Sequence, residues 1–193
     1  MPTIEVSVAA GADDAQAIQG CAWFSNSLTY LQFDASDQDL EIFLRFAGVN
    51  VPQGATITVA YLRYITLDNF GDGGDISIKG LDEDDVGDFP NCATAEGYGL
   101  TTNAFTGWNP GVEVTLTAYN TPSLVDIVQE IVDRPGYAED HMGFKIWNVT
   151  RTLARYWVPY EHETEAPVLL HTEYILPMAG GMQVPAVVAL DLI

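Results

Sequence analysis

Apolar and polar positions alternate twice within residues 41–66. Ile42, Leu44 and Phe46 interleave with Phe43 and Arg45, Pro52-Gln53-Gly54 interrupts the run, and Ile57, Val59, Tyr61, Arg63 and Ile65 then interleave with Thr58, Ala60, Leu62 and Tyr64. A period of two is the signature of a strand, and a Pro-x-Gly break between two such runs reads as a tight turn. Both faces of each run carry bulky groups, which predicts a pair of joined strands in the middle of a sandwich rather than a free surface hairpin.

The same period recurs along the chain. Ile4, Val6 and Val8 predict an opening strand; Leu28, Tyr30 and Gln32, interleaved with Thr29, Leu31 and Phe33, predict a second; and Ile76 with Ile78 marks a short one. Val112, Val114 and Leu116, interleaved with Glu113, Thr115 and Thr117, predict a strand returning the chain to the sheet, and further strands are expected over 142–147, 153–160 and 168–175. One stretch has a helical period instead: Leu124, Ile127, Val128, Ile131 and Val132 fall on one face, and Pro135-Gly136 stops the run. About nine or ten short strands and one short helix over about 124–134 predict an all-β fold, an antiparallel two-sheet sandwich of jelly-roll type.

Two stretches break the pattern. Residues 81–108 are acidic and small and read as a long surface loop, the kind of segment that carries function. Residues 176–193, LPMAGGMQVPAVVALDLI, are apolar and unpatterned with a single charge, Asp191. They predict an extended arm beyond a module spanning 1–175, and a free apolar arm would aggregate, so it folds back onto its own domain or lies on a neighbouring subunit.

Charge changes the picture more than size does. The chain has 193 residues, enough for one domain with its own core, and its 7 Lys and Arg against 27 Asp and Glu give a formal net charge of -20. Such a chain repels polyanions and releases no counterions from a phosphate backbone, which excludes nucleic acid as the expected partner. No stretch reaches the roughly 18 uninterrupted apolar residues of a membrane span, so no membrane is expected either. The N-terminus lacks the basic and apolar blocks of a secretory signal. Cys21 and Cys92 fit no metal spacing; two buried thiols is the first reading, one bridge between them the alternative.

Four segments together resemble a known module. They are Leu44-Arg45-Phe46; residues 51–57, VPQGATI, with Ala60-Tyr61-Leu62; residues 127–137, IVQEIVDRPGY; and residues 166–174, APVLLHTEY. In this order and spacing they resemble the DNRLRE-type and related carbohydrate-binding-module-like β-sandwiches, found in large secreted bacterial proteins and in virion proteins of tailed bacteriophages. The resemblance covers roughly residues 3 to 175, is most specific over 127–137, and implies the sandwich fold without fixing any binding residue.

Candidate chemistry is sparse. Three histidines and no Gly-x-Ser-x-Gly supply a nucleophilic hydrolase poorly, and no HExxH occurs, so no catalytic residue is expected. Asp82, Asp84, Asp85 and Asp88 share one acidic loop and are candidate calcium ligands, against the simpler reading of a solvated loop. Tyr98, Phe105 and Trp108 are candidate platforms for stacking a sugar ring. Leu176, Met178, Met182, Val184, Val187, Val188, Leu190 and Leu192 are the candidate docking contacts of the arm. The resemblance, a module beginning at its own Met1, the missing export signal and the apolar arm lead to one expectation: a non-enzymatic virion protein on the capsid exterior or in the tail. Its partners would be other virion subunits and further copies of itself, a trimer among the options. A carbohydrate-binding or host-adhesion module is the alternative.

Overall fold

The alternating runs fold into two antiparallel sheets packed face to face, as an all-β sandwich. The computed structural model describes residues 1–33, 39–149 and 154–176. The described elements are β1 (Thr3–Ser7), β2 (Asp14–Ile18), β3 (Trp23–Ser25), β4 (Leu31–Phe33), β5 (Leu40–Phe46), β6 (Thr56–Ile65), β7 (Ile76–Leu81), α1 (Cys92–Gly97), β8 (Leu100–Trp108), β9 (Ala118–Asn120), α2 (Val125–Val132), β10 (Met142–Asn148), β11 (Arg155–Trp157) and β12 (Leu169–Ile175). Sheet A has the order β1-β12-β6-β9, sheet B the order β3-β2-β5-β10-β7-β8, and β4 pairs with β11 in a separate ribbon. No helix among the described residues is long and apolar enough to cross a membrane.

The expected pair over residues 41–66 is the first correction. Both strands exist, but β5 lies in sheet B between β2 and β10 while β6 lies in sheet A between β12 and β9. Their link therefore crosses from one sheet to the other instead of forming a hairpin. The turn at its centre is real: Ala55 N–H donates to Pro52 O at 3.0 Å, and Gly54 has φ 70°, a backbone state open to glycine at little cost. What the alternation could not show is which neighbours each strand chooses, because central strands with two bulky faces look alike whether they pair with each other or not.

The main core lies between the sheets. Ile42, Leu44 and Phe46 of β5 and Phe144 and Ile146 of β10 meet Ile57, Leu62 and Tyr64 of β6 and Leu170 of β12. Helix α2 fills one side, burying Ile127, Val128, Ile131 and Val132, the face its periodicity predicted. Its approach to β7 is close. A Cβ at Gly80 would lie 2.8 Å from Ile131 Cδ1 and 2.9 Å from Ile127 Cγ2, so any larger residue there would have to push the helix side chains aside. The β4–β11 ribbon adds Phe33 and Trp157, with Trp157 stacked on Tyr64 at 4.0 Å.

Residues 82–98 form a second layer on the outer face of sheet B. Phe43, Ala15 and Ala17 point outward from β5 and β2 and are buried beneath Val86, Phe89, Cys92 and Ala95. The stretch expected to be a long loop is thus a packed cap containing α1, with Asn91 Oδ1 capping that helix through Thr94 N–H at 3.0 Å, followed by strand β8. The two cysteines are not thiols: Cys21, beside β3, and Cys92, at the start of α1, form a disulfide across a sequence separation of 71. It fastens the cap to the edge of sheet B.

Three further expectations meet the structure. Residues 112–117 form no named strand; only Glu113 bridges, to Phe70. Of the strand expected over 153–160, only residues 155–157 form one, β11, while 158–160 carry no strand. Of the arm, Leu176 is exposed, while Met178, Met182, Val184, Val187, Val188, Leu190 and Leu192 lie outside the described residues.

Candidate functional site

The loop between β8 and β9 is inside out with respect to its sequence. Val112, Val114 and Leu116 are 69%, 53% and 56% exposed, whereas Glu113 between them is buried. Its carboxylate meets Arg155 of β11, itself 1% exposed, and accepts a hydrogen bond from Tyr64 Oη at 2.5 Å. Arg155 also donates through Nη2 to the carbonyls of Gly71, Gly73 and Gly111 at 3.1, 2.7 and 3.0 Å. A buried carboxylate is tolerated only where a cation and hydrogen bonds replace water, and here they do. Tyr64 is correspondingly harder to ionise, through burial first and the neighbouring Glu113 charge second. The backbone is pinned as well: Phe70 and Glu113 exchange N–H to O bonds of 3.0 Å, and Leu116 N–H donates to Thr66 O at 2.7 Å. A stripe of three apolar side chains is therefore held outward on a rigid segment.

The candidate calcium ligands do not converge on one point. Arg134, just beyond α2, takes Asp82 and Asp84 together, the latter at 2.8 Å, while Asp88 is exposed. Asp85 turns instead to His141, with Oδ1 2.5 Å from Nδ1, and Asp140 Oδ2 lies 3.4 Å from the same nitrogen. These three residues bring one nitrogen and two oxygen donors within 4.8 Å of one another. Between sheet B and the cap, Lys145 of β10 lies 2.8 Å from both Glu41 of β5 and Glu96 of the cap, and Arg45 of β5 pairs with Asp13 at 2.5 Å while donating to Val86 O. Burial and a hydrogen bond with Glu96 push the Glu41 carboxyl up to about 7; Glu96, although burial opposes it, is held low by Glu41 and Lys145.

The three aromatic residues expected to stack on sugars are half-buried. Trp108 packs edge-on against Tyr64 at 5.8 Å and tilts over Trp157 at 6.3 Å; Phe105 leans on the main core; Tyr98 meets Phe89 edge-on at 6.1 Å. Phe105 and Trp108 pack on the main core and Tyr98 on the cap, so the three form no single platform. More exposed rings lie elsewhere: Trp23 of β3, Tyr30, just before β4, and Tyr160 are 43%, 44% and 43% exposed. Trp23 and Tyr30 flank an open groove of about 510 Å³, whose described lining also includes Gln16, Ser25, Thr29 and Gln32.

Sequence reasoning passed over this groove because its residues come from four strands, β2, β3, β4 and β5, and from the segment between β3 and β4. One signal was present. Tyr30 and Gln32 alternate with Leu31 and Phe33, and once Leu31 and Phe33 are recognised as the buried pair, Tyr30 must face out. The buried Glu113–Arg155 pair had no such signal, since its alternation fitted the opposite orientation equally well. No protein-family model matches the chain, and no curated protein matches it in sequence.

Proposed function

We propose that the chain is a non-enzymatic structural protein of a tailed-bacteriophage virion, either a decoration protein on the capsid exterior or a tail component, that docks on neighbouring subunits. The observation that carries this reading is the outward stripe of Val112, Val114 and Leu116, fixed by the buried Glu113–Arg155 pair beneath it. An exposed apolar row on a rigid support favours a packed protein surface over water. Two other features support an exterior position. The Cys21–Cys92 disulfide suits an oxidising surrounding such as a virion surface, and a net charge of -20 is repelled by packaged DNA. The apolar arm, Leu176 onward with Met178, Met182, Val184, Val187, Val188, Leu190 and Leu192, provides a second contact. The phage setting itself rests on the resemblance of residues 3–175 to modules of such virions.

The test is co-sedimentation of purified protein with shells of the encoding phage prepared without it. Saturable binding is expected, lost at least tenfold in the triple variant V112S/V114S/L116S and again on truncation after Leu176. Failure of the unaltered protein to bind shells or tails overturns the proposal.

A further inference from the structure

We propose that Asp85, Asp140 and His141 form a binding site for a divalent first-row transition-metal ion, and that zinc fits it best. The site joins two parts of the molecule: Asp85 belongs to the cap over residues 82–98, whereas Asp140 and His141 lie between α2 and β10. Asp85 Oδ1 stands 2.5 Å and Asp140 Oδ2 3.4 Å from His141 Nδ1, and the three donor atoms lie within 4.8 Å of one another. That spread matches donors around one ion. With metal–ligand bonds of about 2.0–2.2 Å, neighbouring donors of a tetrahedral ion stand roughly 3.4 Å apart. Asp140 is already at that spacing from the imidazole. Asp85 has to step back by about 1 Å, exchanging its contact with the ring for a metal bond, and its exposed side chain is free to do so.

The backbone beneath the trio is fixed. Gly48 N–H donates to Asp140 Oδ1 at 3.1 Å, which leaves Oδ2 for the ion, and Val49 N–H donates to Asp140 O at 2.6 Å. Ala138 N–H donates to Asp84 O at 2.9 Å, holding the Asp85 segment against the loop that carries His141.

A buried hydroxyl points to the same place. Tyr137 is 5% exposed, and its Oη is buried without a hydrogen-bond partner among the described residues. An unpaired polar group in that position costs free energy. Burial first, and then the charges of Glu139, Asp140 and Asp85, make the phenol harder to ionise, so the hydroxyl sits beside the trio and stays neutral. A neutral phenol is a poor ligand but a good partner for a water on the ion. Three protein donors leave a fourth position open, and a water held there can hydrogen-bond to Tyr137 Oη.

The donor set selects the ion. Calcium and magnesium take roughly six or more ligands, almost all oxygen, whereas one of the three protein donors here is an imidazole nitrogen. Imidazole with carboxylate suits zinc, which accepts a coordination number of four. A net charge of -20 draws any cation towards the protein, so preference for zinc over magnesium and calcium is what separates a site from general attraction. A bound ion ties the cap to the chain just before β10, beside the contact of Arg134 with Asp82 and Asp84.

The experiment is titration calorimetry of the untagged chain, stripped of metal with EDTA, against zinc chloride, with magnesium and calcium chloride for comparison. One zinc per chain is expected, with a Kd of about 10 μM or tighter and at least about tenfold weaker binding of the other two ions. Zinc is also expected to raise the melting temperature and to slow hydrogen exchange over 82–98. H141A and D140N should weaken zinc about tenfold or more and abolish the rise in melting temperature, whereas H162A leaves both unchanged. Y137F keeps all three ligands and should weaken zinc by a smaller factor. D85N alters an exposed side chain and carries the same expectation as H141A, so it tests the site even if H141A or D140N fails to fold. Zinc affinity unchanged in D85N and H141A, magnesium or calcium binding as tightly as zinc, or no saturable zinc binding up to about 1 mM overturns the proposal. No shell takes part in this test, so the docking reading and the zinc site stand or fall separately.

Discussion

The interior between the two sheets and the cap on the outer face of sheet B bury their residues by different means. In the interior, apolar side chains from β5, β6, β10, β12 and α2 interlock, and the polar exceptions, such as Glu113 with Arg155, are wholly enclosed. The cap buries a smaller apolar set, Phe43, Leu81, Val86, Phe89 and Ala95 among them, and is fastened around it by a disulfide and by Arg45, Arg134, His141 and Lys145. Burial of apolar area has no charge to screen and no bond to reduce, whereas those fastenings have both. The difference teaches that four basic or titratable side chains on a chain of net charge -20 are concentrated where a thin layer needs holding down.

The largest effect should come from the interior. Arg155→Met leaves the Glu113 carboxylate buried without its cation and is expected to cost about 3–5 kcal/mol in urea unfolding. Replacing both partners, R155M with E113L, should recover most of that loss, since removing a buried pair entirely is far less costly than breaking it. A single variant as stable as the unaltered protein would show that the pair is not what orients the Val112 stripe. Next comes the cap. C21S/C92S removes a bridge spanning 71 residues and should cost about 2–4 kcal/mol. Hydrogen exchange should rise over 82–98 and β3 while β6 and β12 stay protected. Equal loss of protection in both regions would mean that cap and interior are one cooperative unit.

Each region also holds one carboxyl pushed up to about 7, and the two should answer pH differently. Asp14, wholly buried on β2, is raised by burial first, against the opposing hydrogen bond it accepts from Tyr160 N–H at 2.8 Å. Its folded form keeps a proton that the unfolded chain releases near its ordinary value of 3.8, so the contribution of Asp14 to folding stability is greatest below about pH 4 and is lost as pH rises through 7. Asp14→Asn keeps the acceptor and cannot ionise. It should flatten the decline of melting temperature between pH 5 and 8 and gain roughly 1–2 kcal/mol at pH 8. Glu41→Gln should gain less, because Lys145 at 2.8 Å loses a partner. Identical gains would erase this distinction between the regions.

How much of this was legible in the sequence follows from which interactions are local. The face of α2 was readable because Leu124, Ile127, Val128, Ile131 and Val132 repeat within a single element. Two sheets and one principal helix followed from the same kind of counting. Pairing was not readable: β5 and β6 share the right period and still part to different sheets. Val112, Val114 and Leu116 alternate as a sheet strand does, and what turns them outward instead is the burial of Glu113 on Arg155, 42 residues further along. The cap looked like loop because its acidic residues are neutralised by cations far along the chain, Arg134 and Lys145. The groove depends on the same long-range placement, with Trp23 and Tyr30 brought together only by the β2–β3 turn and the ribbon.

The smallest expected effect is the most direct probe of how the cap is held. Arg134 follows α2, which packs on the interior, and its guanidinium reaches Asp82 and Asp84 at the start of the cap. All three side chains are partly exposed, at 24%, 40% and 51%, so solvent and ions screen the attraction. Arg134→Met keeps much of the apolar stem and removes the charge, and should cost no more than about 1 kcal/mol in low salt. Raising NaCl also relieves the general repulsion of a strongly acidic protein, which stabilises both forms, so the informative quantity is the difference between them. That difference should shrink towards zero by about 1 M NaCl, where the Debye length is about 3 Å. A difference that persists at high salt would mean that Arg134 holds the cap by packing, and the contrast between an apolar interior and an ionically fastened cap would fail at this contact.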